Sequence, residues 1–143
     1  MRLIQRLNQK PVFLGLAALL LLASNAFAYH PSEVSWAAEE FARAAEHFHQ
    51  VIHNATGYSH LAQDVHRVSQ DARHFKHVVD GGASYGHALR DFQRIRMSYS
   101  HLRRAFSQAH GAHHNWHIRR DFYRVQYAFE DVEYTMYDGD TDH

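Results

Sequence analysis

The sequence predicts an all-α protein: a single up-down-up-down antiparallel four-helix bundle that follows a cleaved N-terminal signal peptide. Three observations carry this. Apolar residues recur in alternating steps of four and three along four stretches, the seam of packed helices. Short breaks containing Gly, Asn or Ser separate those stretches, and short turns join antiparallel neighbours in a bundle. No stretch sustains the apolar–polar alternation of a strand.

Residues 1–28 read as the signal peptide. Arg2, Arg6 and Lys10 form a basic start, Val12 to Ala23 is an apolar run, and Ala26-Phe27-Ala28 fits a small-x-small cleavage site. The run is shorter than the roughly 20 residues that span a bilayer. An uncleaved N-terminal anchor is the alternative. No Arg pair precedes the run, so the general export route is expected, with a periplasmic or secreted product.

The mature domain would then be residues 29–143, enough for one modest core. Its first helix, about 33–54, carries Val34, Ala38, Phe41, Ala45, Phe48 and Ile52 in register. Pro31 and Ser32 suit its start, and Asn54 to Gly57 stops it. The second, about 59–80, carries Leu61, Val65, Val68, Ala72, Phe75 and Val79. Ser59 can cap it, and Gly81-Gly82 ends it. The third, about 85–110, follows Ser84 and carries Tyr85, Ala88, Phe92, Ile95, Tyr99, Leu102, Phe106 and Ala109, with Gly111 as its stop. The fourth, about 115–137, is capped by Asn115 and carries Ile118, Phe122, Val125, Phe129, Val132 and Met136. Gly139 and an acidic tail close the chain.

Charge and composition exclude some classes. All 15 acidic residues but only 12 of the 15 Lys and Arg lie after residue 28, a net charge of −3 with neutral histidines. That balance gives no basic surface for neutralising nucleic-acid phosphates, and no membrane association is expected once the signal is removed. The chain has no Cys, hence no disulfide, thiolate metal site or covalent haem attachment. There is no Gly-x-Ser-x-Gly elbow and no Gly-rich phosphate loop, and the chain is read as a non-enzyme. Its 15 histidines remain to be explained. Each has an ordinary pKa of about 6.5, so mild acid would charge the chain strongly.

Six histidines directly precede a seam residue, at 47, 60, 74, 87, 101 and 117. Three have an acid four residues on: His60 with Asp64, His87 with Asp91, and His117 with Asp121, a spacing that stacks two side chains on one helical face. The pattern suggests an old duplication relating residues 33–80 to 87–137.

In an up-down bundle, the first and third turns share one end. That end would carry His49, His53, His60, His110, His113, His114 and His117, the candidate metal ligands. His49 with His53, His110 with His114, and His113 with His117 are each four apart and can chelate from one face. Asp64 and Asp121 can orient His60 and His117 from behind. The opposite end gathers a second possible cluster, His74, His77 and His87. Imidazole suits copper, zinc and nickel.

The sequence therefore points first to an exported module that sequesters, buffers or senses a divalent transition metal. The alternative is a metal-free, pH-responsive structural or stress-protective bundle that loosens when its histidines charge. A second alternative is an electron carrier with non-covalent haem, for which Met97 or Met136 would be an axial ligand. A homodimer or a protein partner is compatible with each.

Overall fold

The structure, a computed structural model, describes residues 30–55 and 57–137. The signal peptide and the acidic tail assigned from sequence lie outside the described residues. Those residues form five helices and no strand: α1 (Pro31–His53), α2 (Ser59–Asp80), α3 (Tyr85–Gln108), α4 (His110–His114) and α5 (Trp116–Tyr137). The four long helices match the four expected, within two residues at each end, but the chain after α3 does not run as expected.

There the structure departs from expectation. The third helix stops at Gln108, and residues 110–114 make a separate short helix. The break is at Ala109 (φ −83°, ψ 81°), not at Gly111, which lies inside α4. Gly111 instead leaves room for the end of the Tyr58 side chain. A Cβ there would stand 2.8 Å from the Tyr58 hydroxyl oxygen. Gly57 and Gly82 do use glycine's left-handed freedom, at φ 90° and 73°, and turn the chain out of α1 and α2.

Capping follows the sequence unevenly. Asn115 caps α5 through its side-chain oxygen, which accepts from the His117 and Ile118 amides at 3.1 and 3.4 Å. Ser84 takes the N-cap position of α3 without a side-chain cap bond, and Tyr58 rather than Ser59 is the N-cap of α2.

The seam residues form one core. α1 lies against α2 and α5, and α2 also lies against α3. Ala37, Ala38, Ala42 and Ala45 are buried on α1, small enough for neighbouring backbones to approach. Between α3 and α5 the space is filled by rings. Phe106 stacks on Phe122 at 3.9 Å between centroids, Tyr99 stacks on Phe129 at 4.1 Å, and Phe92 meets Phe129 at 5.9 Å. Each such ring removed from water contributes about 1.5–3 kcal/mol, which makes this stack a major part of the core.

Polar pairs run in opposite sequence order along α1 and α2: Ser35 with Asp80, Glu39 with Lys76, Glu46 with Ser69, and His49 with His66. In every pair the two residues are equally far from the turn at Gly57 and Tyr58.

Candidate functional site

The histidines meet between helices rather than at the turns. On α1, Glu46, His49, Gln50 and His53 share one face by their spacing of three and four. His66, Ser69 and Arg73 oppose them from α2. His49 Nε2 lies 3.3 Å from His66 Nδ1, and the two rings are 4.9 Å apart. The His53 ring is 6.0 Å from that of His49.

The far side of His49 faces an acid. Its Nδ1 is buried without a hydrogen-bond partner and stands 4.0 Å from Glu46 Oε1. Ser69 donates to the other Glu46 oxygen at 2.7 Å, and this bond is the main reason that carboxyl is held below its ordinary pKa. The His49 pKa is pushed below its ordinary value, first by burial and then by the neighbouring charge of His66, with Glu46 opposing.

This geometry has a chemical meaning. Two imidazole nitrogens bound to one tetrahedral zinc at about 2.0–2.1 Å stand about 3.3–3.4 Å apart. The His49–His66 separation matches that span. It also matches a hydrogen bond between neutral rings, in which His66 Nδ1–H donates to His49 Nε2 while His66 Nε2 accepts from the Gln70 amide at 2.9 Å. A carboxylate that accepts the far N–H of a ligating imidazole orients it and raises its basicity; Glu46 stands 4.0 Å from that nitrogen of His49, short of a hydrogen bond.

The remaining expected ligands lie apart from this pair. His110 Nδ1 is 3.0 Å from the Gln108 carbonyl oxygen. His113 packs on Phe106 at 4.7 Å, and His117 lies on Trp116 at 4.3 Å. His114 is exposed. His60 and Asp64 line a cavity of about 460 Å³ with His101, Arg104 and His110, between the start of α2 and the end of α3. Among the described residues no group of three or more His, Asp or Glu is placed to hold a metal ion.

The second expected cluster divides. His74 and His87 meet on Asp91, whose Oδ2 lies 3.6 and 3.4 Å from their Nε2 atoms, while His77 is exposed in the last turn of α2. Asp91 is only 7 % exposed, and its Oδ2 has no hydrogen bond. Asp121 is 3 % exposed and is met by Arg120, His47 and Arg124 at 3.2–3.5 Å, not by His117 as its spacing suggested. Both buried acids thus tie neighbouring helices together: Asp91 joins α3 to α2, and Asp121 joins α5 to α1.

Sequence reasoning missed His66 and Glu46, and it noted His47 without a partner. A usable signal existed. Reflecting residue 49 across the turn at 57 and 58 lands on His66, and reflecting residue 91 across the turn near 82 lands on His74. Of the methionines once considered for haem, Met136 is a core residue and Met97 is exposed on α3.

No helix among the described residues is long and apolar enough to cross a membrane. No protein-family model, curated protein or solved structure matches this chain.

Proposed function

We propose that this chain is an exported up-down-up-down helical bundle, released from a signal peptide, that sequesters, buffers or senses a divalent transition metal. The carrying observation is the 3.3 Å approach of His49 Nε2 to His66 Nδ1 across the α1–α2 seam, with Glu46 behind His49. His53, one turn further along α1 and with its ring 6.0 Å from that of His49, is the third donor in this reading. Binding would displace the His66 Nδ1 proton and leave Nε2–H to donate to the Gln70 side chain after the amide rotates. Imidazole donors favour copper, zinc or nickel over magnesium or calcium, and the affinity order favours copper. The cluster at 110–117 is assigned to packing and capping, apart from this site.

The test is titration of the purified protein with Cu(II), Zn(II) and Ni(II), following bound metal and melting temperature. His49→Ala/His66→Ala should lose tight binding, and His110→Ala/His114→Ala/His117→Ala should retain it. Absence of tight binding in the parent protein overturns the proposal. Binding lost in the triple variant and kept in the double returns the site to the α3–α5 turn.

One observation favours a second reading, the acid-responsive bundle. His49 resists protonation where it is buried beside His66, so charging the pair pushes α1 from α2. Loss of tertiary signal between about pH 7 and 5 without metal supports this reading; a rigid fold at about pH 5 refutes it.

A further inference from the structure

The outer face of α5 carries a second seam. Trp116, Tyr123, Tyr127 and Tyr134 are 54, 44, 63 and 50 % exposed. Their steps of seven, four and seven place them within about 40° of one another around the helix. That line lies opposite the buried one formed by Ile118, Phe122, Val125, Phe129, Val132 and Met136. Single exposed aromatics are ordinary; four in one line on one helix form a patch of the kind that marks an interaction site. Trp36 of α1 widens it, lining with Tyr127 a surface groove of about 540 Å³.

The seam has internal symmetry. Trp116 and Tyr134 are equidistant from residue 125, and so are Tyr123 and Tyr127. Arg120 and Glu130 share that midpoint, as do Arg119 and Asp131. All four of these charged residues are exposed. Among the exposed charges of α5, the basic ones occupy its first half and the acidic ones its second.

We infer that the outer face of α5 is a self-association surface, on which a second copy of this chain docks antiparallel about a twofold axis near residue 125. In that register Trp116 meets Tyr134 of the second copy, and Tyr123 meets its Tyr127. On one side of the seam Arg119 meets its Glu130, and on the other Arg120 meets its Asp131. A twofold axis repeats every contact, so each favourable pair counts twice. A parallel arrangement would set arginine against arginine and acid against acid, and flanking charges of this kind choose helix orientation. The surface lies away from the α1–α2 seam, so it does not depend on metal binding.

A contact one helix long falls at the small end of specific interfaces, so a dissociation constant of about 1–100 μM is expected. The test is sedimentation velocity on protein expressed from the full chain and purified as the cell delivers it, over concentrations spanning that range. The expected result is a reversible monomer–dimer equilibrium. Tyr127→Arg should abolish it while leaving helix content unchanged. Arg119→Glu and Glu130→Arg should each weaken it about tenfold or more. The double variant carrying both should recover it. A protein that stays monomeric throughout overturns the inference, as does a dimer indifferent to Tyr127→Arg. A charge swap that fails to restore the dimer overturns the antiparallel register.

Discussion

Tyr99→Phe should stabilise this protein, although a tyrosine hydroxyl in a core usually earns its place. Tyr99 is buried on α3 and stacks on Phe129 with centroids 4.1 Å apart. Its hydroxyl is buried with no hydrogen-bond partner. A buried polar group without a partner costs about 1–3 kcal/mol, whereas the ring's contribution is independent of the hydroxyl. Phenylalanine keeps the stack and removes the cost, so a gain of about 1 kcal/mol is expected, about 4–8 °C in a domain of this size.

The same residue predicts an alkaline effect. Burial, joined by the charges of Glu130 and Glu133, pushes its pKa from 10.0 up to about 12. Between those values the unfolded chain releases a proton that the folded chain keeps, so stability falls as pH rises through this window. Two units correspond to about 3 kcal/mol at the upper limit. The assay is urea unfolding at about pH 7 and again within the alkaline window, for both proteins. Tyr99→Phe should be the more stable at neutral pH, and its advantage should widen in alkali. The difference in tyrosinate absorbance between the proteins reports residue 99 directly. A neutral-pH loss greater than about 1 kcal/mol would mean the hydroxyl has a partner, and the reasoning would fail.

Three further outcomes follow from single contacts. Gly111→Ala should cost about 1 kcal/mol, because the added methyl meets the Tyr58 hydroxyl at 2.8 Å. In a Tyr58→Phe background that clash is gone, and alanine's helix preference should make the same change neutral or stabilising by thermal melting. Asn115→Ala should lose about 1 kcal/mol, read by the same melts, since its side chain accepts from the first amides of α5. For His49 the folded pKa lies below the ordinary value near 6.5, so the unfolded chain takes up a proton first as pH falls. Stability should therefore decline below about pH 6.5 and stop declining once His49 itself protonates, and His49→Gln should remove that part of the slope in metal-free unfolding.

Much of this molecule is legible in its sequence because much of it is local. A step of four and three commits a stretch to one helical face, and the stripe residues within all four long helices are buried, Tyr85 only in part, while Ala37, Ala42, Ser69, Asp91, Ser98, Asp121 and Ala128 are buried beside them. Asn115 caps because an N-cap bond needs only the next three residues. Local reasoning fails at Gly111. A glycine that leaves room for Tyr58 looks, in sequence, like a glycine that breaks a helix.

The histidines divide on the same ground. Spacing by four correctly places His87 beside Asp91, a contact within one helix. It also pairs His117 with Asp121, but Asp121 faces α1 and is taken by His47 and two arginines. Crowding four histidines near residues 110–117 suggests convergence. Their side chains leave the short α4 and the start of α5 in different directions, onto Phe106, Trp116, a backbone carbonyl and solvent. Sequence alone determined the helices, their buried faces and the supply of imidazoles. Only the tertiary structure decided which imidazoles meet, because a meeting between helices depends on their rotation and axial register, which are set by packing across the whole core.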